Sequence, residues 1–521
     1  MSKILTTPDP KQTGWPSGIP FIIGNEACER FSYYGMKNIL FPHLTTLYVA
    51  ASVVQDRAEE LSTRDVHLFI AAVYATPMLG ALIADKLLGK YRTILFLSLL
   101  YCIGHAVLAV GERSLGGMHL GLALIAFGAG GIKPCVSAHV GDQFGASNWH
   151  LVKKVFQIFY FAINFGSTFA TLLIPVLLIK VGAWLAFGLP GVLMFLATFV
   201  FWLGRHRFVH VPARPGGRLG ALDALGGALL FAGTLGNLLF AGALPTAVRL
   251  AGGGALVALG FGVFTLRQRK QRDDGFLAVT LTLLRRGRAA ATTRWSPAAV
   301  DATLSVYRIL SVFILVSIFW ALFDQHSSTW IRQAGQMDRH IDLGFTSFTL
   351  IPAQTSAMNP ILVLLLIPAL ILGVFPWLER RGVKITPLRR MTVGMVFAAL
   401  SYVAVAILQT KVEAAALAGA PLHIAWQAIP YAILTIGEVL VSATGLEFAY
   451  SQAPKRVKSV IMAFWNLTVS LGNFLVAYLA GLGKMPLARF FWLFAGLSAA
   501  AALLFAIRAR FYTYRDIPQG E

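Results

Sequence analysis

Asn25-Glu26-Ala27-Cys28-Glu29-Arg30-Phe31-Ser32-Tyr33-Tyr34-Gly35-Met36-Lys37 decides how the rest of the chain reads. It lies inside the first long apolar segment, residues 19–48, and a helix through it turns by about 100° per residue. Glu26, Arg30, Tyr33, Tyr34 and Lys37 then fall three and four apart along one stripe, with Glu29 at its edge. A charged side chain near the middle of a bilayer costs at least about 2.5–3.5 kcal/mol on insertion scales. Four ionisable groups in one span therefore face a wet cavity or one another, which makes the stripe a candidate functional site.

The membrane assignment rests on composition. Of 521 residues, 57% are hydrophobic and only 13% charged, far outside the range of soluble domains. The net charge of +21 could suggest nucleic acid. Its Lys and Arg instead sit in short runs between apolar segments, the mark of cytoplasmic loops. Cys28, Cys102 and Cys135 all fall in apolar segments without metal-ligand spacing, so neither a disulfide framework nor a metal site is expected. No apolar run of the signal-peptide kind precedes Phe21, so the first span is expected to stay in the mature protein.

Apolar spans can be drawn at about 19–48, 66–88, 93–111, 117–141, 150–179 and 182–204. A basic loop follows, then two Gly/Ala/Leu-rich spans at about 219–243 and 247–266, and a basic stretch, 267–294, that closes the insert. Six more spans lie at about 304–331, 346–377, 388–410, 422–449, 458–482 and 486–508. The layout divides the chain into a six-helix bundle (1–210), a two-helix insert with basic flanks (211–298) and a second six-helix bundle (299–521). The fold class is all-α integral membrane, with 6+2+6 transmembrane helices.

Lys86, Lys90 and Arg92, then Lys153 and Lys154, then Arg205 to Arg218, and then the 267–294 stretch mark one side of the membrane. Arg380, Arg381, Lys384, Arg389 and Arg390, then Lys455, Arg456 and Lys458, and finally Arg508, Arg510 and Arg515 continue the pattern. Both termini are expected in the cytoplasm. The opposite loops, such as 56–60 and 337–342, are short or mixed in sign. A weak internal echo joins Asp85-x3-Gly89-x3-Thr93 to Leu378-x3-Gly382-x3-Thr386. Repeated halves around a midplane site are the usual build of secondary transporters.

Few ionisable residues remain at membrane depth: Glu26, Glu29, Arg30, Lys37, His67 at the outer end of the second span, Lys133, Asp324 and Glu438. Their signs nearly balance, and each needs a partner or a cavity. Lys133 follows the run Gly128-Ala-Gly-Gly, where helices can pack closely, and its expected partner is Glu26 or Glu29. Asn164 and Asn359 stand in apolar spans beside Gly166 and Pro360. Tyr33, Tyr34, Tyr74, Trp320 and Trp465 serve equally well as packing or interfacial anchors taken singly, and gain interest from the charged residues around them. No nucleophile elbow, paired histidines or Walker loop is present, so the chain is not expected to be an enzyme and needs no cofactor.

These residues carry a resemblance. Glu26-Ala-Cys-Glu29-Arg30-Phe-Ser-Tyr33-Tyr34-Gly, Asp85-x3-Gly89-Lys-Tyr-Arg-Thr93, Phe159-Tyr-Phe-Ala-Ile-Asn164-Phe-Gly-Ser, Phe319-Trp320-Ala-Leu-Phe-Asp324-Gln and Gly437-Glu438 with Thr444-Gly-Leu-Glu-Phe resemble, in order, the proton-dependent oligopeptide transporter family of the major facilitator superfamily. The resemblance spans essentially the whole chain, and the two-helix insert looks like that of bacterial members. Gly141-Asp142-Gln143-Phe144 departs from the family's usual Ala before Asp, as does His139 nearby, and neither touches the expected binding residues. The resemblance implies a major facilitator fold in the plasma (inner) membrane, with protons as the coupling ion and di- and tripeptides as substrates. No nucleic acid and no obligate protein partner is implied.

It further implies that Arg30 and Lys133 hold the peptide carboxylate. Glu438 with Asn164 and Asn359 would hold the ammonium, the aromatic residues would line side-chain pockets, and Lys37 and Asp324 would close the outer gate as a salt bridge. Proton coupling is expected at Glu26, Glu29, His67 and Asp324. His67 would compete with Lys37 for Asp324 and pass its proton on, which requires contact between His67 and Asp324 directly or through one water. Another solute on the same fold, such as nitrate or an amino acid, is the alternative. A receptor or channel would not need charges in both halves that can trade partners.

Overall fold

The computed structural model describes residues 5–240, 244–483 and 485–514, with the side chains of Lys153, Tyr450 and Lys455 left aside. Arg515, counted above among the basic residues, lies outside the described residues, as do the side chains of Lys153 and Lys455.

Six helices make the first bundle: α1 (Ile19–Ala50), α2 (Gln55–Leu88), α3 (Lys90–Val110), α4 (Leu115–Asp142), α5 (Val152–Lys180) and α6 (Ala183–Leu203). The insert holds α7 (Gly217–Phe240), α8 (Thr246–Lys270) and α9 (Phe276–Arg294). The second bundle holds α10 (Pro297–Phe323), α11 (Pro352–Arg380), α12 (Pro387–Leu417), α13 (Ala428–Gln452), α14 (Lys458–Leu482) and α15 (Leu487–Arg510). Among the described residues, thirteen helical stretches are long and apolar enough to cross a membrane. α1 is not among them, because its charged stripe lowers its hydropathy. Its 32 residues nonetheless reach about 48 Å, and it packs lengthwise on α2, α5 and α6 with Glu26, Glu29 and Lys37 turned inward.

Two large apolar cores hold the bundles, with smaller clusters at Ala278–Val300 and around Met337 and Val412. One runs from Ile19 to Leu239 and takes in Ile331 and Ala353; the other runs from Ala302 to Phe505. Small residues set the closest approaches. A Cβ on Gly80 would sit 2.0 Å from the Gly130 carbonyl, and one on Gly128 would sit 2.7 Å from the Tyr101 nitrogen. The Gly128-Ala-Gly-Gly run thus brings α4 against α2 and α3, leaving the residues beside it deep in the bundle. Gly394 and Gly437 do the same between α12 and α13. The internal echo is partly structural: Gly89 (φ +80°) and Gly382 (φ +76°) both take positive φ between two helices, Gly89 as the N-cap of α3 and Gly382 just past the last turn of α11.

Three expectations about boundaries are corrected. α2 begins at Gln55, so 56–60 is helix, and His67 lies about three turns inside it and is wholly buried. Asp56 sits in the polar first turn, where a carboxylate favours the helix dipole, and hydropathy alone cannot extend the span backwards through it. Residues 346–351 are not part of a span: His340–Asp342 and Ser347–Thr349 form a small antiparallel hairpin, and the helix starts only at Pro352. The basic 267–294 stretch contains α9, whose Ala278, Val279 and Thr282 are buried while Arg285, Arg286 and Arg288 are exposed. The segment is broken at Gly287 (φ +76°), and the charge density of Arg285, Arg286 and Arg288 around that kink hid its amphipathic first half.

The end carrying the basic residues is called the basic end. The bundles meet along α2 and α14 and, less extensively, along α5 and α11. Polar contacts between them gather away from the basic end. Arg57 donates to the Gly481 carbonyl, Arg332 pairs with Asp56 and Glu59, Asn38 donates to the Ala353 carbonyl (2.6 Å) and Gln354 to that of Leu172 (3.0 Å). At the basic end the insert links both bundles instead, through Lys86–Asp273 (3.6 Å) and Arg456–Asp274 (2.6 Å).

Candidate functional site between the bundles

Helical periodicity delivers the α1 stripe to the bundle interface. Arg30 Nε lies 2.7 Å from Glu26 Oε1 and 3.1 Å from Glu29 Oε2. Lys133, brought in by the glycine run of α4, lies 3.9 Å from Glu29, which decides between the two partners expected for it. Its ammonium also sits over the rings of Tyr33 (4.4 Å) and Tyr74 (5.0 Å). Two carboxylates and two cations balance, all buried or nearly so. The Lys133 ammonium makes no hydrogen bond among the described residues. A buried cation in that position can still receive an anionic group.

Across the interface, Asn359 Nδ2 donates to Glu438 Oε2 at 2.6 Å. No Lys or Arg pairs with Glu438 among the described residues, so this carboxylate faces the N-terminal bundle's charges with an amide as its neighbour. Asn164, expected beside Glu438, spends its amide on the Tyr160 carbonyl of its own helix (3.0 Å). A buried amide one turn from an open carbonyl satisfies itself locally before it reaches across a cavity. Trp320 and Trp465 stand nearly perpendicular with centroids 6.2 Å apart. Trp465 lies against Gly445, where a Cβ would come within 2.0 Å of its ring. That contact accounts for a glycine after Thr444. Tyr34 packs edge-on against Tyr33.

Lys37 Nζ meets Asp324 Oδ1 at 3.2 Å in a pair almost wholly buried. The other oxygen of Asp324 accepts from Asn473 Nδ2 (2.8 Å), and Asn473 Oδ1 lies 2.7 Å from His67 Nδ1. His67 Nε2 lies 2.7 Å from Ser328 Oγ. The carboxylate fixes the amide's orientation, so Nδ1 of His67 carries the hydrogen, and in the neutral ring Nε2 accepts from Ser328. Direct transfer of a proton from His67 to Asp324 is therefore excluded in this conformation: an amide stands between them, and its N–H donates without being given up. Sequence reasoning missed Asn473 and Ser328. Asn473 carried the signal used for Asn164, an amide in an apolar span beside a glycine, and a Cβ on Gly472 would meet the Ser317 carbonyl at 2.2 Å.

The fold and this arrangement of charges define a membrane transporter of two pseudo-repeated bundles with the major facilitator fold. A sequence model of the POT family matches residues 91–493. The chain belongs to the POT family, the proton dependent oligopeptide transporters. It is similar to a solved auto-inhibited POT family peptide transporter at 41% identity and TM-score 0.78, covering 97% of this chain and 99% of that one. The POT family transporter PepTSo matches at 43% identity and TM-score 0.78, over 95% and 98% of the two chains. Peptide transporter family 1 of Drosophila melanogaster is 36% identical over 78% of this chain. The match spans half the length of that fly protein.

Proposed function

We propose that the chain is a proton-coupled symporter that imports di- and tripeptides across the plasma membrane by alternating access. The observation that carries this reading is the disposition of charge: Arg30 and the unbonded Lys133 ammonium on one bundle, and Glu438 without a cation on the other, among the described residues. A zwitterion of variable side chain is best gripped by fixed opposite charges at its ends, with an adaptable apolar and aromatic space between them. Arg30 and Lys133 then take the carboxylate, Glu438 with Asn359 the ammonium, and Tyr33, Tyr34, Tyr74, Trp320 and Trp465 the side chains. Asn164 acts from its helix, with no assigned bond to Glu438.

With the basic end in the cytoplasm, the contacts gathered at the opposite end correspond to a closed outer gate. Lys37–Asp324 is its buried ion pair. Glu26 and Glu29 exchange protons while trading Arg30 and Lys133 as partners. His67 acts on Asp324 through Asn473, by changing what the amide can hold.

Proteoliposomes loaded with dialanine test the reading by counterflow. Labelled dipeptide is expected to enter, to be displaced by excess dipeptide and not by nitrate, and to accumulate when the outside is acidified. Competition by nitrate alone would overturn the substrate class.

A further inference from the structure

A cavity of about 790 Å³ opens on the second bundle at its basic end, away from the charges between the bundles. Its walls come from the last turns of α11, the first turns of α12, the face of α13 that carries Ile436 and Leu440, and the end of α15. Val374, Phe375, Val393 and Phe397 make it apolar, and Lys384, Arg389, Arg390 and Arg510 border it. None of the residues lining it is Asp or Glu. We propose that this groove binds one anionic phospholipid, with acyl chain along the apolar wall and phosphodiester among the four cations.

Three observations commit the groove to that occupant. The first is charge: among the described residues, only Arg390 of the four cations has a carboxylate partner, Glu447 at 2.5 Å, and Glu447 is half exposed. The second is the start of α12. Thr386 makes no side-chain cap, the first turn holds no acid, and it carries Arg389 and Arg390 instead. The positive end of a 31-residue helix dipole is thus reinforced by two cations where carboxylates are normally stabilising, and a phosphate would meet both. The third is the order of the parts along the membrane normal. The cations sit at the basic end, Arg381 stacks over Trp377 (4.1 Å) one turn from them, an aromatic and cation pairing typical of membrane interfaces, and exposed Ile371, Leu372 and Val393 lie farther along their helices from that end. The volume is that of sites that bury most of a small ligand. A peptide, with charges at both ends, would leave its ammonium among four cations.

Native mass spectrometry of the purified full chain, titrated with phosphatidylglycerol or phosphatidylcholine, tests this. Phosphatidylglycerol is expected to be retained one per chain in preference to phosphatidylcholine. Lys384→Gln with Arg389→Gln is expected to weaken retention about 30-fold, about fivefold for each cation near an anionic lipid. Val393→Phe, which narrows the apolar wall next to Phe397 and keeps every charge, is expected to weaken retention of the lipid. Equal retention of the two lipids, undiminished retention in these variants, or displacement of the lipid by glycerol phosphate as effectively as by phosphatidylglycerol would overturn the proposal. Should the double variant fail to fold, Val393→Phe decides alone.

Discussion

Replacing Asn473 by alanine should open the end of the transporter opposite the basic loops. Three bonds disappear: the amide's donation to Asp324 Oδ2 (2.8 Å), its acceptance from His67 Nδ1 (2.7 Å), and its donation to the Val469 carbonyl one turn back on its own helix (2.9 Å), which is lost in the closed and open states alike. A hydrogen bond to a charged group contributes about 1.5–3 kcal/mol, and a neutral donor stranded in a buried site costs about 1–3 kcal/mol. Both groups are buried here, and both would meet water once the bundles part, so the penalty falls on the closed state alone. Even at the lower ends of these ranges, about 2.5 kcal/mol, the closed-to-open ratio should drop by roughly 60-fold. Spin labels at the exposed Val54 and Phe345 report the separation, once Cys28, Cys102 and Cys135 have been replaced. The expected result is a longer distance population in Asn473→Ala that is minor in the parent. Asn466→Ala, which loses only a bond to the Met462 carbonyl of its own helix, should leave the distribution unchanged. An unshifted distribution in Asn473→Ala, or the same shift in both, would refute the reasoning.

Other perturbations read other parts of the site. Glu438→Gln should weaken unblocked dipeptides by about 10- to 100-fold, the range for a lost charged hydrogen bond, while N-acetylated dipeptides change little; equal loss in competition assays would remove Glu438 from the ammonium site. Glu26→Gln and Glu29→Gln should abolish accumulation driven by an acidic exterior while counterflow persists, and undiminished accumulation would remove them from coupling. Gly80→Ala puts a Cβ 2.0 Å from the Gly130 carbonyl, which forces α2 from α4 at a cost of about 1–3 kcal/mol. The detergent-solubilised protein should then unfold at a lower temperature, and an unchanged midpoint would mean that the helices shift freely.

Much of the candidate site was legible because α1 is a helix whose polar residues recur at three and four. That spacing alone puts Glu26, Arg30 and Lys37 on one face, and the scarcity of ionisable groups in the other spans leaves few partners to choose from. The same scarcity narrows Lys133 to Glu26 or Glu29, and only the structure puts it beside Glu29. Asn164 was misjudged because sequence cannot tell a reaching amide from one that closes on its own helix. α9 was overlooked because its Arg residues dominate its composition, although Ala278, Val279 and Thr282 trace a buried face. Hydropathy likewise missed the first turns of α2, whose polar residues form the contacts of Arg332 with Asp56 and Glu59.

By itself the sequence determined that the chain is a bundle of membrane helices in two echoing halves and which side chains must be hidden from lipid, since the cost of an isolated charge in hydrocarbon leaves no other solution. Tertiary structure decided which of those side chains meet. Whether His67 touches Asp324 depends on the roll of α2 against α14 and on the glycine contact that seats α14 on α10. These rigid-body placements depend on packing between segments hundreds of residues apart, and no local spacing encodes them. The result is an amide, Asn473, standing between the histidine and the carboxylate, which changes the route a proton can take through the site.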